Sequence, residues 1–464
     1  FGLLAVQPSC DCARSYGANA SACSAGSYTS RARRSYFELQ SLWTGNNETM
    51  LATARALLTP SEDSEVPSNC SAPLPPACNA SAGPRLQRVA GTLGLTLDCK
   101  PFLMRGIAYS PAPFGDDPGY AEPWGDYFTA EYVKVFSRDL QMASSIGVNT
   151  LRLYSLKTSI RHARFFDALR MHNMSAIVAF EMGGATQTPL ATTSDLVSAK
   201  SRLRRQIRAS NHPAIIMWLI GNELNGAWHL YVCDEAYALD YVEPAYGVRS
   251  CQFGSDAAAL LHAVDELCSV VHDEGVPCST ALADAILPSE LEALPQYDGR
   301  GVLGWMKLMD GSSPRFTLNH LDVWSLNLYL GRNFTNRRLF EDYEAATTPN
   351  KLPILITEYG IDALNTDMWY EHCITNASCP ADSRLVNMSN YVDENMQADW
   401  VLSLVEDLER NSATCSSGCH THAAAGGVLI GWVDEPWKGR VIDSIASDAR
   451  SIALSSACPD PQPS

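Results

Sequence analysis

The sequence predicts an α/β protein, a (β/α)8 barrel of the TIM type with a small cysteine-rich module ahead of it. From about residue 89, short apolar runs of β-prone residues alternate with stretches of helical periodicity. Eight such runs occur, spread over roughly 350 residues, the number and span of a closed parallel barrel with insertions. Two of them, "PAIIMWLIGNELN" and "LPILITEYG", end abruptly in carboxylates, Glu223 and Glu358. That is expected where a strand buried on both faces leaves the core and offers its last side chain to a cleft.

Residues 1–88 are rich in Cys, Ser, Ala and Pro and hold one helical pattern, "SRARRSYFELQSLWTGNNETMLATARALL". They read as a cystine-stapled module and a linker, "PSEDSEVPSNCSAPLPPACNASAGP". Residues 89–450 form the barrel, and 451–464, ending "SSACPDPQPS", a polar tail. The barrel strands are expected in "FLMRGIAYS", "NTLRLYS", "SAIVAFEM", "IIMWLIGNE", "CSTALAD", "DVWSLNLYL", "PILITEYG" and "GGVLIGWVDE". Between them, "YVKVFSRDLQMASSIG" and "DAAALLHAVDELCSVVHDEG" repeat apolar residues at helical spacing, and the second ends in a helix-stopping Gly. A doubly wound sheet is the alternative, but it would bind phosphate through a Gly-rich first turn, and no such loop follows a strand here. No cofactor is expected.

At 464 residues, 46% hydrophobic and 18% charged, the chain can bury one large core plus a smaller module. A formal charge of −17 makes nucleic acid and anionic membranes poor partners, because both need clustered cations. No apolar run reaches the roughly 20 residues of a membrane helix. Fifteen cysteines and eight glycosylation sequons, at Asn19, Asn47, Asn69, Asn79, Asn173, Asn333, Asn376 and Asn387, point together to the secretory route and to N-linked glycans. The expected location is secreted, extracellular or associated with a cell wall or surface. A start at Phe1 suits a removed signal peptide or a piece of a longer chain. Cys70 and Cys78, Cys373 and Cys379, and Cys415 and Cys419 are spaced as loop clips, and the odd total leaves one thiol over.

In a barrel the strand ends share one face, so Glu223 on strand four and Glu358 on strand seven converge despite their distance in sequence. Facing each other across a sugar ring at about 5–5.5 Å, they would suit a retaining double displacement. Glu358 would attack the anomeric carbon, while Glu223 would first protonate the leaving oxygen and then deprotonate the acceptor. For the first task Glu223 needs a raised pKa, which an apolar strand and a neighbouring carboxylate could supply.

"GNELN" and "TEYG" resemble the acid/base and nucleophile signatures of the clan A retaining glycoside hydrolases. Within that clan, "KPFLMRGIAYSP", "IGVNTLRLYSL", "GNELN", "CSTALAD", "SLNLYLGR" and "ILITEYG", in that order over about residues 95 to 440, are most similar to the catalytic domain of the fungal β-1,3-glucanosyltransferases. "HPAIIMWLIGNE" is equally similar to the β-galactosidase and β-glucuronidase family. The resemblance implies a retaining barrel enzyme whose partner is a β-glucan or related polysaccharide. It also implies that Asn222 binds the sugar 2-hydroxyl, that Tyr329 donates to Glu358, and that Arg152 assists beside the nucleophile. Tyr109, Asp284, Trp432 and Glu435 fall at strand ends where sugar contacts are expected, with Trp432 a stacking platform; rim packing is the competing role for the two aromatics. The chain departs from the transferases in carrying its cysteine-rich region before the barrel. It departs again in an insertion rich in acidic residues and tyrosine between Cys233 and Cys251, which leaves transfer against hydrolysis open.

Two further clusters have ordinary readings. "CSSGCHTH" brings Cys415, Cys419, His420 and His422 together, but the spacing fits no standard zinc finger and a disulfide is favoured, so no metal is expected. "SRLRRQIRASNH" reads as a solvated outer face rather than a polyanion site. The alternative function is a heavily glycosylated extracellular structural, filament-forming or glycan-binding protein on a glycosidase-like barrel, for which self-assembly would be the partner interaction.

Overall fold

A computed structural model describes residues 4–8, 28–32, 86–88 and, with gaps, 92–432; the longer gaps in the last span are 119–124, 183–189, 226–256, 284–317 and 364–391. Strands β1 (Leu4–Pro8) and β2 (Tyr28–Ala32) pair antiparallel, Leu4 opposite Ala32. This corrects the start of the helix expected from Ser30: Ser30 to Ala32 lie in β2, where pairing overrides local helical preference. The rest of that stretch, the linker and the polar tail lie outside the described residues.

Strands β3 (Leu86–Arg88), β4 (Leu95–Leu97) and β5 (Lys100–Phe102) form an antiparallel sheet that spans the boundary expected after residue 88. Leu97 pairs with Lys100 across a two-residue turn in which Asp98 and Cys99 both have positive φ (52° and 64°). That is the sense of turn that matches strand twist. Leu86 and Leu95 pack with Met104 into the barrel's inner core, so the small sheet lies against the end at which the first barrel strand begins.

The eight expected strands are present, in order: β6 (Met104–Ala108), β7 (Thr150–Leu153), β8 (Ser175–Phe180), β9 (Ile215–Asn222), β10 (Cys278–Ala283), β11 (Val323–Asn327), β12 (Ile354–Tyr359) and β13 (Ala424–Leu429). Each pairs in parallel with the next, and β13 pairs with β6 to close the barrel. Closure needs glycine at 426: its φ is +120°, and a Cβ there would meet the Met104 carbonyl oxygen at 2.2 Å.

Side chains alternate along the strands. Ile177, Ala179, Met217, Leu219, Val323, Leu355 and Val428 fill the interior. Ile107, Leu151, Leu153, Val178, Trp218, Leu326 and Ile356 face the helices in a second, larger cluster. Each fully buried Leu, Ile or Val contributes about 1.5–3 kcal/mol relative to exposure, so this alternation fixes the register and with it the orientation of every polar residue at the rim.

The helices α1 (Val133–Ser145), α2 (Ala163–Met171), α3 (Thr193–Ala209), α4 (Ala258–Asp273), α5 (Leu339–Ala345) and α6 (Glu394–Arg410) follow β6, β7, β8, β9, β11 and β12. Gly147 and Gly275 sit just past α1 and α4 with φ of 85° and 73°, and Gly275 N donates to the His272 carbonyl, the glycine stop that the sequence predicts. A capping box starts α3, Thr192 accepting from Asp195 N while the Asp195 carboxylate accepts from Thr192 N. The arginines of α3 are engaged: Arg204 meets Asp273, Arg208 meets Glu274, and Arg202 donates to the Glu181 carbonyl over the Phe180 ring. The pairs with Asp273 and Glu274, and the exposed Arg205 donating to Ser201, fit the solvated face expected there, whereas Arg202 is half-buried.

Cys268 of α4 is joined to Cys278 at the start of β10, a pairing the spacing did not suggest. Cys415 and Cys419 form the expected clip and so offer no thiolate to a metal. Cys99 is also disulfide-bonded. The pairs Cys70 with Cys78 and Cys373 with Cys379 lie outside the described residues. Among the described residues no helix is long and apolar enough to cross a membrane.

Candidate active site

Parallel strands place their carboxyl ends at one rim, and there β7, β9, β11 and β12 bring Arg152, Asn222, Glu223, Asn327 and Glu358 together. Arg152 lies between the outward-facing Leu151 and Leu153, so it points inward, and it is wholly buried. A buried, unpaired guanidinium would cost several kcal/mol. Here Nη1 meets Glu358 Oε1 at 2.8 Å, the Thr357 carbonyl at 2.8 Å and Asn327 Oδ1 at 3.1 Å. Nη2 meets Asn222 Oδ1 at 2.6 Å. The planar fork thus spans four residues on three strands, which the point charge of lysine could not do.

Glu358 is 6% exposed and receives three donors. Tyr154 Oη joins Arg152 on Oε1, at 2.8 Å, and Tyr329 Oη donates to Oε2 at 2.9 Å. Charge-assisted bonds of this kind are roughly twice as strong as neutral ones, and together they fix the carboxylate in position. Burial first, and the Glu358 charge second, push the Tyr329 hydroxyl far above its ordinary pKa, so it stays a proton donor. The residue is nonetheless 40% exposed. The Tyr154 ring lies under the Arg152 guanidinium, 4.6 Å from its centre.

Glu223 follows β9 with a φ of +54°, and Gly221 two residues earlier has +68°. Such a backbone costs of order 1–3 kcal/mol at a non-glycine residue and is found where a side chain must be re-aimed. A Cβ on Gly221 would meet the Leu224 side chain at 2.4 Å, so the turn also needs glycine there. Two anchors hold it. Glu223 N donates to the Ala281 carbonyl at 2.8 Å. The buried Asn225 amide accepts from Ala283 N at 2.7 Å and donates to the Ala283 carbonyl at 2.6 Å. The carboxylate itself accepts from Asn327 Nδ2 at 2.9 Å.

Two further expected residues are not gathered here. Tyr109 is corrected: in β6, Ala108 faces the interior, so the next residue faces the helices. Tyr109 is buried beside Phe128 and stacked on Phe165, and its hydroxyl donates to Asp139 of α1 at 3.0 Å. Trp432 is corrected likewise. It is 1% exposed and packed in that same outer layer, with its indole N–H directed at Asp139. Neither ring is a sugar platform in this arrangement. Asp284 and Glu435 lie outside the described residues.

Sequence reasoning missed Tyr154, Asn327, Thr357 and Asn225. The first two had a signal: Tyr154 lies two residues after Arg152 and Asn327 two before Tyr329, so each shares a strand face with a residue already singled out. Of the sequons, Asn173 is exposed in the turn between α2 and β8. Asn333 is half-buried, with its sequon Thr335 hydroxyl bonded to Asp407. The other six lie outside the described residues.

No family model and no curated protein matches this chain. Among solved structures it is similar to ScGas2 in complex with compound 11, at 14% identity over 83% of this chain and 72% of that one, with a TM-score of 0.44. Gas2p of Saccharomyces cerevisiae with laminaripentaose gives 15% identity over 83% and 71%, with a TM-score of 0.44. A mutant of Gas2p with laminaritetraose and laminaripentaose gives 13% over 83% and 70%, with a TM-score of 0.41. Similarity at this level assigns no substrate and no residue role; those rest on the chain's own site.

Proposed function

We propose that this chain is a retaining glycosidase or transglycosylase that acts on β-linked glucan, with β-1,3-glucan favoured by the order of its sequence motifs. The observation that carries the proposal is the hydrogen-bonded circuit joining two rim carboxylates: Glu358 to Arg152, Arg152 to Asn327, and Asn327 to Glu223. A buried carboxylate held by an arginine and two tyrosines is oriented as a nucleophile requires. In the first step Glu358 attacks the anomeric carbon and the glycosidic C–O bond breaks, while Glu223 gives its proton to the departing oxygen. In the second, Glu223 takes a proton from water or from an acceptor hydroxyl. The oxygen so activated attacks the anomeric carbon, and Glu358 leaves as carboxylate. Tyr329 and Arg152 hold the Glu358 charge before the first step and after the second. Asn222, its Oδ1 taken by Arg152 and Asn327, can present its amide N–H2 to the sugar.

Secretion, with N-glycans at sequons such as the exposed Asn173, accompanies this reading and is supported by disulfides within the barrel. A purely structural role is disfavoured by the site itself, because burying an arginine–carboxylate pair without use is costly.

The test is to incubate the protein with reduced laminari-, cello- and manno-oligosaccharides and to follow product length and anomeric configuration. Products of retained β configuration from the laminari series, shorter for hydrolysis or longer for transfer, are expected. Inverted products would remove the nucleophile role of Glu358, and unchanged ladders would leave the structural alternative.

A further inference from the structure

Asn327 is 2% exposed, lies on the inward face of β11, and uses every hydrogen-bonding position of its side-chain amide. Its Oδ1 accepts from Arg152 Nη1 at 3.1 Å and from Thr357 Oγ1 at 2.9 Å. Its Nδ2 donates to Asn222 Oδ1 at 3.0 Å and to Glu223 Oε1 at 2.9 Å. The orientation of this amide is set at both ends by Arg152. An arginine can only donate, so the Asn327 atom it faces is the oxygen. Arg152 Nη2 likewise makes the facing atom of Asn222 its oxygen, and the Asn327 atom opposite that oxygen must be the N–H2. The flip that would present an acceptor to Glu223 is excluded by a charge on β7, across the barrel from β11.

We propose that Asn327 is a positioning residue that decides which oxygen of Glu223 carries the transferable proton and sets the strength of that acid. This rests on the reading of Glu223 as acid/base. The protonated oxygen of a carboxylic acid is its weaker acceptor, so the Asn327 N–H on Oε1 favours the proton on Oε2, which is then the oxygen that gives it to the leaving group. After transfer, Glu223 is a carboxylate whose Oε1 still receives the Asn327 bond. That bond stabilises the anion and makes proton release easier than burial alone would allow. The coupling reaches the nucleophile as well. Arg152 Nη1 is shared between Asn327 Oδ1 and Glu358 Oε1, so the neutralisation of Glu358 in the glycosyl-enzyme turns more of the guanidinium charge toward Asn327. Among the described residues, Asn327 of β11 donates to Glu223 and the Tyr329 hydroxyl feels its charge, while Asn222 on its own strand, Arg152 from β7 and Glu358 from β12 complete the cluster to which Asn327 is bonded. Among these, Asn327 is the one whose contact with a Glu223 oxygen is a neutral donor of fixed orientation.

The experiment uses the whole protein and the pH dependence of kcat/KM on a laminari-oligosaccharide, whose alkaline limb reports the ionisation of the acid/base in the free enzyme. Asn327→Asp keeps the acceptor for Arg152 and Thr357 but replaces the donor to Glu223 by an oxygen. The alkaline limb is expected to move up by about one pH unit. Asn327→Ala removes the donor without adding charge, is expected to move the limb the same way by less, and serves alone if the Asp variant does not fold. A purely structural role would lower kcat/KM at every pH and leave the limb in place, and that result overturns the proposal. The underlying reading fails separately, if the unmutated protein leaves every glycan intact or gives inverted products.

Discussion

The guanidinium of Arg152 and the carboxylate of Glu358 meet at 2.8 Å with side chains 0% and 7% exposed, a buried ion pair at the carboxyl ends of β7 and β12. Each is the other's main charge compensation, and the site's chemistry and part of the barrel's stability therefore reside in the same contact.

Removing the carboxylate separates these roles. Glu358→Gln keeps an acceptor for Arg152 and should lower kcat by about 10³-fold or more with a small loss of melting temperature. Glu358→Ala leaves the guanidinium buried without a counter-charge and should destabilise the fold by about 3–5 kcal/mol. Denaturant unfolding of both, beside oligosaccharide assays, distinguishes a nucleophile from a purely structural acid.

Arg152→Lys keeps the charge but cannot span Asn222, Asn327, Thr357 and Glu358 at once. A loss of about 10²-fold in kcat/KM is expected, since lysine lacks the planar fork. Near-normal kinetics would mean that charge alone is what Glu358 needs.

Tyr329→Phe and Tyr154→Phe each delete one donor to Glu358. A hydrogen bond to a charged group is worth roughly 1.5–3 kcal/mol, so each variant should lose about tenfold to a hundredfold in kcat/KM. The pair shares one acceptor group, and the double variant should depart from additivity. A double-variant cycle measures this.

Asp139 supplies a pH test of stability remote from the nucleophile. Burial raises its pKa, opposed in part by the Arg138 charge and by bonds from Arg138, Tyr109 and Trp432. With the folded-state value above the ordinary 3.8, the folded chain binds the extra proton. The stability associated with this group is complete below the ordinary value and falls as pH rises through the folded one. Unfolding free energies of the unmutated protein and Asp139→Asn, compared from pH 4 to 8, should show the unmutated protein losing ground as pH rises. A flat difference would mean that Asp139 titrates as in water.

The fold was legible because its signals are local. Each barrel strand is a short run of β-prone residues, and the glycines past α1 and α4 mark their ends within a few positions. Glu223 and Glu358 stood out because an apolar run that stops at a carboxylate is visible in one dimension. Tyr109 and Trp432 were misplaced because being at a strand end was weighed without the alternation that turns every second side chain outward. The same alternation would have found Tyr154 and Asn327.

By itself, then, the sequence determined the eight strands, their order and the two carboxylates at their ends, since period and propensity act over a few residues. Tertiary structure decided which rim residue meets which. The register between β11 and β12 shifts at Asn327 to set it beside Glu358, and the turn after β9 re-aims Glu223 through a left-handed backbone. The Cys268–Cys278 link and the Arg152 fork join residues whose proximity depends on barrel closure. Such contacts arise from strand pairing across long loops, where the separation along the chain carries no record of the distance in space.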